Sequence, residues 1–209
     1  MLKAIFFDCD GVLTTDFNAT GTVCENLCKA IPELSIDRVI QCYRQHFGHL
    51  QTTEGKYSDH LDAFGKSIGT KISPDLFYEA LQTTERNEPM FALVRAVRKR
   101  YRLGIITDNA GERMNLLNEK MGLSELFDPI IVSASVHALK HDGTTTIFDV
   151  ALEAAQCEPM KSAFIDNQER NLVTPARMGM KTYWHDDAKN NIASLKSALR
   201  EWKVTFDDA

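Results

Sequence analysis

The chain has 209 residues, 44% of them hydrophobic and 25% charged, with a formal net charge of −5. That composition belongs to a globular protein with room for one large domain or a domain plus an insert. The acidic balance argues against nucleic acid as a partner, since no basic excess exists to displace counterions, and no apolar run approaches the length of a membrane span.

Ala4–Phe7 is a short apolar run that leads straight into Asp8, Asp10 and Gly11. An apolar run rich in Ile and Phe and closed by Asp and Gly predicts a strand buried on both faces. Asp8 then stands at the carboxyl end of that strand with Asp10 just beyond it. Two carboxylates so close repel unless a cation or a shared proton offsets them. The run is cut by Asp8 too soon to be a signal-peptide core. The five cysteines (Cys9, Cys24, Cys28, Cys42 and Cys157) are odd in number and form no Cys-x-x-Cys motif. They are expected to be free thiols in a cytoplasmic protein.

From about residue 22 to 84 the pattern is helical. Val23, Leu27 and Ile31 recur at helical spacing. Ser35 is a candidate cap for a helix carrying Val39, Ile40, Tyr43 and Phe47. Leu61, Phe64 and Ile68 mark a third helix, and Ser73-Pro74 opens a fourth. This predicts an inserted helical unit over residues 16–87, with linkers near 14–20 and 84–89, between core segments 1–15 and 88–209.

From Glu88 onward helices and strands alternate. A helix through Phe91, Val94, Val97 and Tyr101, ending in the basic residues Arg95, Arg98, Lys99 and Arg100, precedes the strand Leu103–Thr107. A helix stopped by Gly122 precedes the strand Pro129–Val132. A loop with Lys140, His141 and Asp142 leads to a helix with Ile147, Phe148 and Leu152. The strand Ala163–Ile165 ends in Asp166-Asn167. The next helix contains Pro175 and is expected to be kinked or short. A fifth strand, Met180–Trp184, a last helix and a frayed tail from Thr205 complete the chain. Alternation of this kind predicts an α/β fold: a Rossmann-like parallel sheet flanked by helices, carrying an inserted all-helical cap domain.

The polar residues gather at strand ends: Asp8 and Asp10, Thr107 and Asp108, Asp166 and Asn167, with Lys140 one loop beyond the third strand. Parallel strands place all of these at one edge of the sheet. Taken singly, Thr107 is an ordinary strand end, Lys140 a solvated loop residue and Asp166 a helix cap. Their joint placement points to chemistry. Several acids without a Cys/His cluster favour a hard, oxygen-bound cation, above all Mg²⁺, and a lysine with a hydroxyl nearby suits a phosphate.

These residues resemble the haloacid dehalogenase-like hydrolase superfamily. Its four motifs are seen in order as Asp8-Cys9-Asp10-Gly11-Val12, Ile105-Ile106-Thr107, Lys140, and Phe164-Ile165-Asp166-Asn167. Gly55-Lys56-Tyr57-Ser58 in the helical insert looks most like sugar-phosphate phosphatases and the phosphatase half of epoxide hydrolases. The resemblance implies a Mg²⁺-dependent phosphatase for a small phosphorylated metabolite, acting as monomer or homodimer without nucleic acid or membrane. Asp8 would be the nucleophile, and Asp10 the acid and base. Thr107 and Lys140, with the backbone N–H of Asp108, would hold the phosphoryl oxygens. Asp8, Asp10, Asp166 and Asn167 would hold the metal. A phosphomutase, a haloacid dehalogenase or a weak phospho-binding member are the alternatives.

Three departures stand out. Asn167 replaces a frequent Asp and predicts weaker Mg²⁺ binding. Asp108 replaces a frequent Asn, and its carboxylate should turn away from phosphate. His141 replaces a common Pro after the motif lysine.

Overall fold

A computed structural model describes residues 1–207. Its five strands are β1 (Ala4–Phe7), β2 (Arg102–Thr107), β3 (Ile130–Val132), β4 (Ser162–Asp166) and β5 (Lys181–Trp184). All neighbours run parallel in the order β3-β2-β1-β4-β5, so β1 is central. Every residue of β1 is buried. Ile5 and Phe7 face one side of the sheet, where Phe91, Val94, Leu117, Leu195 and Leu199 cover them. Ala4 and Phe6 face the other, beneath Ile147, Phe148 and Leu152. This two-sided burial is what a continuous apolar strand requires.

The helices are α1 (Ala19–Ala30), α2 (Ile36–Phe47), α3 (Leu61–Ile68), α4 (Pro74–Gln82), α5 (Glu88–Val97), α6 (Gly111–Met121), α7 (Leu123–Leu126), α8 (Ser133–Val136), α9 (Thr146–Ala154), α10 (Glu169–Met178) and α11 (Ile192–Glu201). No helix among the described residues is long and apolar enough to cross a membrane. The Ser73 hydroxyl caps α4 by accepting from Leu76 N–H at 3.3 Å, and Asn18 caps α1 through Gly21 N–H at 2.8 Å. Ser35 precedes α2 but makes no side-chain cap bond. Gly122 ends α6 at φ +65°, a conformation glycine adopts without strain.

Helices α1–α4 share a core of their own. Phe47 sits at its centre, with ring centroids 5.0–5.3 Å from Tyr43, Tyr57, Phe64 and Phe77. The layer docks on the sheet unit through Ala110 and through Glu112, whose carboxylate accepts from Tyr57 N–H and the Tyr78 hydroxyl at 2.8 and 2.9 Å. The two connections pair with each other: Thr14 bridges Arg86, Thr15 N–H donates to Glu85 O, and Asn87 N–H donates to Leu13 O.

Several details differ from the sequence reading. Helix α5 stops at Val97 rather than running to Tyr101, so Arg98, Lys99 and Arg100 lie past its last turn. Helix α10 continues for ten residues with Pro175 inside it, because one missing N–H removes one bond of the ladder. Its buried residues are Asn171, Thr174 and Pro175, while Val173 is exposed. The tail is tied down rather than frayed as far as Asp207: Thr205 N–H donates to the Tyr101 hydroxyl, Arg200 stacks on Phe206, and Arg100 pairs with Asp207. The last two residues lie outside the described part of the chain.

Removing the central ring of the helical layer should be costly. Phe47→Ala is expected to lower the unfolding free energy by about 3–5 kcal/mol, read from the urea midpoint.

Candidate active site

Asp8 follows the last residue of β1, and its N–H donates to Ile165 O across the β1–β4 pair at 2.8 Å. The chain then closes a tight turn over Cys9–Leu13, with Gly11 at φ +76°. A Cβ on Gly11 would lie 2.1 Å from Asn167 Nδ2. Glycine is therefore required twice, by the backbone and by the carboxamide packed against it.

Asp8, Asp10, Thr107, Asp108 and Lys140 line one cavity of about 400 Å³ at the carboxyl edge of the sheet. The helical layer supplies its roof through Tyr43, Arg44, Phe47, Gln51 and Tyr57. Arg44 of the helical layer lines the cavity, whereas Arg38, His46, His49 and Lys56 do not. Arg38 and His46 instead bond Ser67, and His49 packs on His60.

Lys140 is almost fully buried, and its ammonium stands 2.8 Å from Asp8 Oδ1 and 2.6 Å from Asp166 Oδ2. Burial disfavours its charge, but Asp166, Asp8 and Asp108 more than offset this and lift its pKa above the ordinary lysine range. Asp8 Oδ1 also accepts from Cys9 N–H at 2.7 Å, while Oδ2 takes neither contact. Burial pushes the Asp8 carboxyl well above its usual range, with Lys140 pulling the other way.

Asp166 faces Lys140 and the start of α10. Oδ2 accepts from Lys140 and from Asn171 Nδ2, and Oδ1 accepts from Gln168 N–H and the same carboxamide. Both oxygens are thus spent on fixing the lysine and opening α10. Asn167 is the residue turned toward the Asp8–Gly11 turn. Its Nδ2 donates to Phe17 O, and its Oδ1 is buried without a hydrogen-bond partner among the described residues.

That orphaned oxygen bears on the cation. No group of three or more His, Cys, Asp or Glu side chains among the described residues is arranged to hold a metal. Mg²⁺ does not need such a cage. It is commonly bound through one or two carboxylates, with waters and substrate oxygens filling its shell. A carboxylate at Asp8, the carbonyl of Asp10 and a free carboxamide oxygen at Asn167 make a hard-oxygen donor set of that kind.

Asp10 has a partner the sequence did not disclose. Arg113 of α6 is fully buried and grips it as a fork, Nη1 to Oδ2 at 2.9 Å and Nη2 to Oδ1 at 2.8 Å. Asn109 Nδ2 adds a third bond to Oδ2, and Thr84 from the returning linker touches Arg113 at 3.4 Å. Burial works against the guanidinium charge, yet Asp10 outweighs it and holds Arg113 firmly ionised. Within a helix read from Met114, Leu117 and Met121, Arg113 looks like a surface position. Its only sequence signal is helical i,i+4 spacing from Asn109, just beyond the β2 end.

Asp108 turns its carboxylate onto the lysine loop, accepting from Lys140 N–H at 3.0 Å and standing 3.3 Å from His141 Nδ1. Ser133, at the start of α8, accepts from Asn109 N–H and donates to Gln51 O, joining the edge of the sheet to the roof.

A parallel α/β sheet with acids, a threonine and a lysine at its carboxyl edge beneath a helical roof defines a hydrolase class, and the comparisons agree. The family profile described as haloacid dehalogenase-like hydrolase matches residues 2–179. The chain belongs to that family. No curated protein sequence matches it. Among solved structures, it is similar to a predicted HAD-like family hydrolase from Porphyromonas gingivalis (19% identity, TM-score 0.69, covering 96% of this chain and 98% of that one). It is also similar to a HAD family enzyme from Bacteroides thetaiotaomicron (15%, TM-score 0.74, 93% and 98%), which was also solved in complex with magnesium and inorganic phosphate (16%, TM-score 0.67, 88% and 94%). A third is the L-2-haloacid dehalogenase from Xanthobacter autotrophicus with chloropropionic acid covalently bound (16%, TM-score 0.66, 98% and 85%).

The Arg113–Asp10 pair should carry a large share of local stability. Arg113→Ala leaves a buried carboxylate unpaired and is expected to cost about 3–5 kcal/mol in urea unfolding. Adding Asp10→Asn should recover part of that loss, so the double variant falls short of the sum.

Proposed function

We propose that the protein is a Mg²⁺-dependent phosphatase that hydrolyses a small phosphomonoester through an aspartyl phosphate on Asp8. The observation that carries this reading is the orphaned Oδ1 of Asn167, a residue whose carboxamide packs on Gly11 through Nδ2 and Cγ. A halide displacement has no use for it, whereas a cation shared with a phosphoryl group does.

In this reading Asp8 Oδ2, the oxygen not engaged by Lys140 and Cys9, attacks phosphorus, and the ester oxygen leaves. Lys140 and the Thr107 hydroxyl hold phosphoryl oxygens, and the Asp108 backbone N–H assists. Asp10 gives a proton to the leaving oxygen, then removes one from the water that cleaves the acyl phosphate. For both transfers Asp10 has to leave Arg113. Asp8, the Asp10 carbonyl and Asn167 would hold Mg²⁺, which when bound offsets negative charge on the transferring group. The roof excludes water and reads the leaving group, with Arg44 as the cap residue placed to contact it. Five free cysteines suit a reducing compartment and support a cytoplasmic location.

A second reading, dehalogenation, is favoured by one observation. Asp10 is engaged on both oxygens by Arg113, and a halide leaving group needs no proton.

One experiment separates them. Release of phosphate from a panel of small phosphomonoesters, and of halide from 2-haloacids, is measured with Mg²⁺ and with chelator. The expected result is Mg²⁺-dependent phosphate release that disappears in Asp8→Asn and slows by about 10²–10⁴ in Asp10→Asn. Halide release that survives chelation would replace this reading with dehalogenation. Asn167→Asp, which adds charge to the donor set, is expected to tighten Mg²⁺ binding in calorimetry with the metal alone.

A further inference from the structure

We infer that Asp108 and His141 form a latch that positions Lys140, so that two departures from the family pattern act as one device. The inference rests on the phosphatase reading for its catalytic consequence, and on the geometry alone for the latch.

Lys140 lies in a segment without regular structure between α8 and α9, with His137 at φ +54° at one end and Gly143 at φ +91° near the other. A lysine on such a loop brings a flexible four-carbon stem and an unanchored backbone. Its ammonium is fixed by Asp8 and Asp166, and Asp166 is fixed in turn by Asn171. That secures the head of the side chain and leaves the main chain to be held.

Asp108 supplies the second hold. It follows Thr107 directly, so the rigid end of β2 sets its position. One carboxylate oxygen accepts from the Lys140 N–H at 3.0 Å, and the other faces His141 Nδ1 at 3.3 Å. The two oxygens therefore meet consecutive residues of the loop, one through a hydrogen bond and the other through a side-chain contact. Asp142 completes the arrangement locally by accepting from Leu139 N–H and from the Thr144 N–H and hydroxyl. A carboxylate occupied in this way also resolves a difficulty of the sequence. A negative side chain next to the phosphate-holding threonine would repel substrate, and here it is turned onto the Lys140 N–H instead, with His141 Nδ1 beside it. Where a proline would stiffen the residue after the lysine covalently, His141 does so through a contact to Asp108, the residue just past β2. Asp108 and His141 are positioning residues: they act through Lys140.

Two readouts test this in the full chain. Hydrogen exchange of the peptide covering residues 139–144 is expected to speed at least about tenfold in Asp108→Ala. In Asp108→Asn it should stay close to wild type, because the carboxamide oxygen still accepts from Lys140 N–H. With Mg²⁺ and p-nitrophenyl phosphate as the probe, Asp108→Ala should lower kcat by about 10–100-fold, since a displacement of about 1 Å is enough to do so, while KM changes less than about threefold. Asp108→Asn should regain most of the loss. His141→Ala should lose less, and the double alanine variant no more than Asp108→Ala alone. Wild-type exchange in Asp108→Ala would overturn the latch. So would a raised KM at unchanged kcat, which marks direct substrate contact, or an Asn variant no better than Ala. If wild type releases no phosphate from any ester, the phosphatase reading falls, and hydrogen exchange decides the latch without it.

Discussion

Three carboxylates, Asp8, Asp10 and Asp166, are buried together at one edge of the sheet, and like charges in that setting persist only with cations among them. Two buried cations meet the need in different ways. Lys140 is a point charge inserted between Asp8 and Asp166, whereas Arg113 is a planar fork matched to Asp10. Each comes from a different crossover of the fold, so forming the charge network and closing the sheet are one event. The balance is incomplete, with three anions against two cations. That residue of negative charge is consistent with the proposal that a hard cation completes the site.

The same network draws in the polar groups around it. Asn171 spends its amide on both oxygens of Asp166, Asn109 links Asp10 to Arg113, and Ser133 ties Asn109 to the roof at Gln51. Buried polar groups left unpaired are costly, and three atoms of the site, Asn167 Oδ1, Asn171 Oδ1 and Arg113 Nε, have no hydrogen-bond partner among the described residues. The aromatic centre of the helical layer plays the complementary part. Phe47 holds Tyr43 and Tyr57 over the cavity, so the packing of the roof sets the shape of the space above Asp8.

Much of this was legible in the chain because it follows from period and position. An apolar run ended by Asp and Gly must be a strand whose end carries the acids, and alternation with helices puts such ends on one edge. The pairings at that edge were not legible. Asp166 and Asn167 are adjacent, and only the turn into α10 decides that the first faces Lys140 and the second faces Gly11. Arg113 was hidden because a charged residue on a helix is normally solvated, and burial of its guanidinium depends on an aspartate more than a hundred residues earlier. On helix α10 Asn171 is buried against the site while Val173 faces out, an arrangement that apolar period does not give. Ser35 looked like a cap by residue type, but capping is a matter of side-chain direction.

The paired connections at Thr14 and Arg86 have a consequence for how this architecture can be altered. The chain leaves the sheet unit and returns to it at a single hydrogen-bonded clasp, with Leu13 and Asn87 side by side. The chain between enters and leaves at that one clasp, while Glu112 and Ser133 hold the layer to the sheet unit elsewhere. A short turn joining those two ends would span the gap without disturbing β1 or α5, and a roof of another shape could be spliced there. The chain positions that build the roof and those that build the strand ends are therefore separate in sequence, joined at the clasp and through Thr84, Glu112 and Ser133.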